Sequence, residues 1–303
     1  MRILSRAPVR IDFAGAWTDV KFFAHSFGGA TCNAGIDRYV AGQTIIGEHD
    51  APGGGRAPEG IAVTYETDIP AGSGLGTSSA LNVVWLSLAA GRAPQNSEER
   101  ARIAEQAYEV ETVLGILGGK QDQYAAAFGG FHVFEFEEDK VQAHPIAISP
   151  GTIAELESRL VLCYTGQARL SSNLHEQVWG GFRAGKREVV ESLFLLRDSA
   201  WRAKDIFESA NLDALGPLLD VQHQCAKGLS ASLSNDLVEG FFDAVREDIQ
   251  GGKCCGAGGG GCMIFLCESP YKKAVVETKL AAKGARVIPF RFTFEGLSVT
   301  HKD

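Results

Sequence analysis

The 303-residue chain has no apolar run long enough to span a membrane, no internal repeat and no low-complexity tract. These absences exclude a helical membrane span and a repeat array, and they leave no compositionally biased tail. Positive charge is also scarce, with 29 Lys and Arg against 37 Asp and Glu for a net charge of −8. General binding to nucleic acid or to an anionic membrane draws on clustered Lys and Arg, so neither is expected. An anionic substrate must therefore meet a local basic site. The seven cysteines lack paired zinc spacing, and no charged-then-apolar leader is visible. Both features fit reduced thiols in a cytoplasmic protein. Cys254, Cys255 and Cys262 read as small buried side chains beside a glycine-rich loop.

What remains is the composition of an ordinary globular enzyme, 45% hydrophobic and 22% charged. The length allows one large domain or two moderate ones, each able to bury a core. The most informative stretch is Pro70-Ala-Gly-Ser-Gly-Leu-Gly-Thr-Ser-Ser-Ala80, which follows the strand-like Ile61–Tyr65 and opens the apolar run Leu81–Leu88. Glycines let backbone approach a ligand closely, and the helix that follows presents unpaired N–H groups and a partial positive charge. Gly72, Ser73, Gly74, Leu75, Gly76, Thr77, Ser78 and Ser79 thus form either a phosphate cradle or a plain strand-to-helix turn. The spacing is neither Gly-x-x-x-x-Gly-Lys-Ser/Thr nor a strict dinucleotide fingerprint.

Strands are expected near Arg2–Phe13, Arg38–Ile46, Ile61–Tyr65, Gly130–Phe136 and Val141–Ile148, with Asp50–Arg56 as an exposed loop. Helices are expected at Ser79–Ala90 and Ser97–Leu114, the second capped by Ser97. Pro150-Gly151 is the expected boundary between a first domain, 1–150, and a second, 151–303. The second half reads as strand Leu160–Tyr164, helices around Leu174–Arg187, Val189–Glu208, Leu212–Leu229 and Asn235–Gln250, strand Met263–Cys267, helix Tyr271–Ala282, and a final strand pair at Ala285–Pro289 and Gly296–Thr300. Strict β-α-β alternation is missing, so the order argues α+β rather than a doubly wound sheet. On Ser97–Leu114 the apolar stripe is Ile103, Ala107, Val110 and Leu114; Glu111 borders it, while Glu105 and Glu109 point away.

Two further segments, Ala7-Pro-Val-Arg-Ile-Asp-Phe-Ala-Gly-Ala-Trp-Thr-Asp19 and Lys253-Cys-Cys-Gly-Ala-Gly-Gly-Gly-Gly-Cys262, bracket the central loop. In order and spacing the three resemble the motifs of the GHMP kinase superfamily. The resemblance implies a two-domain GHMP kinase fold, with a ribosomal-protein-S5-like N-terminal domain, a ferredoxin-like C-terminal domain and an active site between them. It also implies ATP as phosphoryl donor, held by the central loop, with Mg²⁺ held by Ser78 and Glu111. Asp122, in a segment that resembles the family's Gly-x-x-Asp loop, would be the base, with Arg10 as a cation beside it. Which hydroxyl of Thr77, Ser78 or Ser79 binds the metal stays open at this level, and Lys120 reads as a solvated loop residue.

Gly15-Ala-Trp-Thr-Asp19 departs from the Gly-Glu-His-Thr-Asp of galactokinases. Asp19 and Thr18 remain for sugar hydroxyls, and Trp17 offers an apolar face to sugar C–H groups. Gln121, Gly258 and Gly259 would border the same substrate. The segments 13–19, 118–130 and 164–172 resemble bacterial D-glycero-D-manno-heptose 7-phosphate kinases, which implies phosphorylation of the anomeric hydroxyl of a sugar phosphate. The first motif also resembles that of fucokinases, which leaves a free sugar open. A non-kinase nucleotide-binding protein of the same fold is expected to lose the metal ligand or the base, yet Glu111 and Asp122 are both present. A second phosphate would be met by Lys21, His25, Arg38 or Arg169, with Ser171 and Ser172 as hydroxyl donors.

Overall fold

The computed structural model describes residues 1–50, 56–168 and 172–302. In chain order the elements are β1 (Arg2–Ala14), α1 (Lys21–Phe27), β2 (Gly29–Asp50), β3 (Arg56–Thr67), α2 (Thr77–Ala90), α3 (Ser97–Val113), α4 (Gln121–Phe128), β4 (Phe131–Glu137), β5 (Lys140–Pro145) and α5 (Pro150–Arg159). Then follow β6 (Leu160–Tyr164), α6 (Ser172–Arg183), α7 (Arg187–Glu208), α8 (Leu215–Leu229), α9 (Asp236–Val245), β7 (Ile249–Cys254), β8 (Cys262–Cys267), α10 (Pro270–Ala282), β9 (Arg286–Val287) and β10 (Ser298–Lys302). The architecture is α+β, with two antiparallel sheets. One is six-stranded in the order β10-β1-β2-β4-β5 with β3 on β2; the other is four-stranded, β7-β8-β6-β9. Among the described residues no helix is long and apolar enough to cross a membrane.

β1 alternates in burial over its first residues and is buried throughout from Ala7 to Ala14, as a strand covered on both faces must be. Helices α2 and α4 pack on it, and Phe13 with Phe131 of β4 meets Phe207 of α7 edge-on. One continuous core therefore runs from the first sheet through α7 and α8 to Leu160, Leu162, Ile264 and Leu266 of the second. The period of two in β6 sends Val161 and Cys163 the other way, into a core shared with α9 and α10. The last strand, β10, returns to pair Ser298–Lys302 with Arg2–Arg6 of β1.

Several local expectations give way to the observed fold. Pro150 sits in the first turn of α5, where a missing N–H costs nothing, and Ser149 caps the helix through Thr152 N at 3.0 Å. The α3 cap is Asn96, which accepts from Glu99 N at 2.9 Å, rather than Ser97. The helix expected to reach Gln250 stops at Val245, and Gly251-Gly252 lie in β7. There a Cβ on Gly251 would stand 2.0 Å from Gly216 O of α8, so those glycines mark close packing rather than a turn. The continuous helix expected over 174–187 is divided at Gly185, φ 66°, between α6 and α7. Most of the loop expected at 50–56, and Arg169 and Ser171, lie outside the described residues; Ser172 opens α6.

Candidate active site

The glycine-rich segment enters α2 through three left-handed residues, Gly72, Gly74 and Gly76, with φ of 68°, 75° and 79°. Among the described residues no side chain caps the helix, and its first turn borders a cleft of about 260 Å³. Gly72, Ser73, Gly74, Gly76, Thr77, Ser78 and Ser79 line that cleft, as do Arg10, Trp17, Asp19, Glu111, Gln121, Asp122 and Gly258. Leu75 does not; its side chain is fully buried in the core. Gly259 is not part of the lining either, and its carbonyl accepts from Asn235 Nδ2 at 3.0 Å.

The third motif supports the second by backbone contact. A Cβ on Gly74 would lie 2.6 Å from Cys255 O, one on Gly256 2.8 Å from Gly74 O, and one on Gly261 2.7 Å from Ser73 O. Cys262 N donates to Ser73 O at 2.6 Å. The run of glycines in 256–261 thus lets the two loops lie flat against each other. All seven cysteines are free and buried, and burial raises the Cys254 thiol to about 11.

Arg10 is buried and joins the first motif to this assembly. Its Nη1 donates to Gly74 O at 2.6 Å, its Nε to Asp122 Oδ1 at 2.9 Å, and its Nη2 to the same carboxylate. Burial opposes the charge, but Asp122 and Asp12 outweigh it and hold the guanidinium firmly protonated. Asp122 lies in the first turn of α4, a short helix where a loop was expected. It packs against the glycine-rich loop: a Cβ on Gly76 would be 3.1 Å from Asp122 Cγ.

Glu111 is buried, as its place on the α3 stripe predicted. Leu114, at the end of that stripe, is exposed instead. Glu111 accepts from Ser79 Oγ at 2.8 Å, Asn82 Nδ2 at 3.2 Å and Gln123 Nε2 at 2.9 Å. The hydroxyl that touches Glu111 is therefore that of Ser79, while Ser78 stands exposed on the cleft wall. Burial pushes the Glu111 carboxyl above its usual range, and the charge of Asp122 adds to the shift. Lys120 is not solvated as expected; it is half-buried on Glu105 at 2.8 Å, and Glu105 also accepts from Tyr124 Oη at 2.6 Å.

Asp19 is buried against the start of α4, accepting from Gln121 N at 3.0 Å. Burial raises its carboxyl to about 7. Gly119 makes room for it, since a Cβ there would lie 1.8 Å from Asp19 Oδ2. Gln121 Oε1 has no partner among the described residues, an acceptor suited to a hydroxyl. Thr18 does not face the cleft: fully buried, it bonds Gly15 O and Ala30 O and fixes the turn. Trp17 holds a left-handed backbone, φ 79°, and presents its ring to the cleft.

Sequence reasoning missed four groups here. Asp12 is fully buried, accepts from Gly256 N at 2.8 Å and pairs with Lys253, whose Nζ also reaches Asp12 O at 2.7 Å. Gln222 Oε1 holds Gly15 N at 3.0 Å, and His175 lines the cleft beside Trp17. A carboxylate set between Ile11 and Phe13 near the end of β1 was the available signal for Asp12. Lys21 and His25 pair instead with Asp139 on the surface, and Arg38 bonds Asp37 O and Pro289 O. None of the three lines the cleft.

The family profile described as "GHMP kinases N terminal domain" matches residues 44–130. The D-glycero-alpha-D-manno-heptose 7-phosphate kinase of Campylobacter jejuni is 30% identical, over 97% of this chain and 98% of that protein. The chain is a GHMP kinase. A crystal structure titled as a D-glycero-D-manno-heptose 1-phosphate kinase from Bacteroides thetaiotaomicron superposes on this GHMP kinase with a TM-score of 0.75, at 26% identity and 99% coverage of both chains. The bifunctional fucokinase/GDP-fucose pyrophosphorylase of Arabidopsis thaliana is 28% identical over 73% of this chain, which spans 21% of that larger protein. As a member of this family the chain is an ATP-dependent kinase.

Proposed function

We propose that this kinase transfers the γ-phosphoryl group of ATP to the anomeric hydroxyl of a sugar phosphate, with D-glycero-D-manno-heptose 7-phosphate giving the 1,7-bisphosphate. The observation that carries the reading is Asp122, held by Arg10 below the glycine-rich helix entrance and beside Asp19 and Trp17. Asp122 takes the proton of the attacking hydroxyl, and Arg10 fixes its orientation and neutralises charge near the transferring group. The N–H groups at the start of α2 receive the phosphates. Asp19 and Gln121 take sugar hydroxyls, and Trp17 covers an apolar face of the ring. Gly258 borders the same space.

Mg²⁺ fits the donor set. One buried carboxylate, Glu111, with Ser78 and Ser79 nearby and a second carboxylate raising its proton affinity, is the arrangement of a site completed by substrate phosphates. When bound there, the ion would neutralise charge on the β- and γ-phosphates.

A second reading, a free-sugar 1-kinase, has its own observation. Among the described residues, Arg10 is the only Lys or Arg lining the cleft, and it is already engaged by Asp122. A coupled ADP-release assay across sugars and sugar phosphates tests both. Heptose 7-phosphate should far outperform fucose, galactose and mannose, and Asp122→Asn should cut kcat by about 10³-fold with little change in ATP affinity. Equal turnover of a neutral sugar overturns the sugar-phosphate assignment. Near-normal kcat in the variant overturns the base.

A further inference from the structure

The cleft that holds the acids also carries an imidazole that the kinase motifs leave unassigned. His175 lies in the first turns of α6, buried, with its ring centroid 4.7 Å from that of Trp17. Its Nδ1 accepts from Trp179 Nε1 at 3.2 Å. Indole is only a donor, so this bond makes Nδ1 the unprotonated nitrogen and puts the ring proton on Nε2. Burial lowers the group to about 4, so the ring is neutral at working pH. Nε2 has no hydrogen-bond partner among the described residues, and the residue lines the same cleft as Asp19, Gln121 and Asp122.

A neutral, single N–H donor of fixed tautomer complements the acceptors that line the same cleft. Asp19 and Gln121 Oε1 take protons from hydroxyls; His175 offers one to an oxygen lone pair. A polyol has both kinds of group on neighbouring carbons. A phosphate dianion would instead select a charged donor, which burial of this ring opposes.

We infer that His175 is a specificity residue, donating Nε2–H to a hydroxyl oxygen of the sugar whose apolar face lies on Trp17. The inference rests on the sugar reading above but not on a terminal phosphate. It predicts that 1-kinase substrates must carry an oxygen at that position, and that the corresponding deoxy sugar is bound poorly.

Two isosteric variants separate this role from a structural one. His175→Gln places an amide N–H near the position of Nε2 and loses the acceptor for Trp179. His175→Asn keeps an acceptor at the level of Nδ1 and has nothing at Nε2. Sugar KM should rise about tenfold in His175→Asn, as for a hydrogen bond left unmade in a dry site, and stay within about threefold of wild type in His175→Gln. ATP KM should move in neither. In wild-type protein, long-range proton–nitrogen spectra should show the Nε2–H shifted by saturating sugar and not by nucleotide alone, a readout independent of how the variants fold. The reverse ranking of the variants, or a silent Nε2 signal, overturns the inference while leaving the kinase reading intact. Absence of turnover with every sugar and sugar phosphate overturns both.

Discussion

At the scale of single residues, the cleft uses burial to tune groups whose sequence spacing is unremarkable. Asp19 shows the consequence for pH. Its carboxyl is raised to about 7 by burial, so the folded state holds the proton more tightly than the unfolded chain does. Its contribution to stability is therefore full below the unfolded value near 3.8 and declines as pH rises through about 7. With Asp19 on the sugar, as proposed above, binding needs the opposite form, since only the carboxylate accepts from two hydroxyls. Sugar KM should fall as pH rises from 6 to 8, while Asp19→Asn should give a flat, high KM and gain stability over wild type at pH 8. Kinetics and melting curves measured side by side check this; a pH profile unchanged by the substitution removes Asp19 from the substrate. Position along α3 made Glu111 legible as the inward acid, because helical periodicity fixes direction. The same periodicity misjudged Glu105, whose partners, Lys120 and Tyr124, come from elsewhere in the chain.

At the scale of elements, the glycine-rich loop is shaped by contacts between loops as much as by its own turn. Gly74 combines φ +75° with a prospective Cβ only 2.6 Å from Cys255 O. Gly115, φ +73°, meets nothing within 4 Å. Gly115→Ala should thus cost only the left-handed strain, roughly 1 kcal/mol. Gly74→Ala adds a backbone clash and should lower the melting temperature markedly and raise ATP KM about tenfold or more. Similar effects of the two substitutions would mean that the third motif does not brace the second. Long elements, β1, α2, α3 and α7, were readable from pattern. The short α4, flanked by Gly118-Gly119, was not, because two turns of helix have little periodicity of their own and depend on the carboxylate of Asp19 at their start.

At the scale of the whole molecule, the two sheets meet around a buried ion pair, Asp12 of β1 with Lys253 of β7, next to the backbone of Gly256. Neither partner is more than 6% exposed. Removing Lys253 leaves Asp12 buried with Arg10 Nη1, 3.7 Å away and shared with Asp122, as its remaining cation, so Lys253→Met should destabilise by about 3 kcal/mol, and Asp12→Asn in the same chain should recover part of that loss. Denaturant unfolding of the single and double variants measures the coupling; additive losses would show that the pair does not hold the halves together. Because β10 closes on β1 and one core spans both sheets, the damage should spread to the glycine-rich loop and appear as a raised ATP KM.

The sequence by itself determined the three glycine-bearing motifs, the α+β order and the inward face of α3. These depend on local backbone freedom and on periods of two and 3.6 that any short window carries. Only the tertiary structure decided that Thr18 braces a turn, that Ser79 rather than Ser78 touches Glu111, that Lys21, His25 and Arg38 lie away from the cleft, that His175 lines it, and that Asp12 and Gln222 hold the backbone of Gly256 and Gly15. Several of those outcomes rest on contacts between residues far apart along the chain, 207 positions for Gly15 and Gln222 and 244 for Asp12 and Gly256. Spacing cannot encode such pairs, because they are set by how separately formed sheets and helices bury their polar groups together.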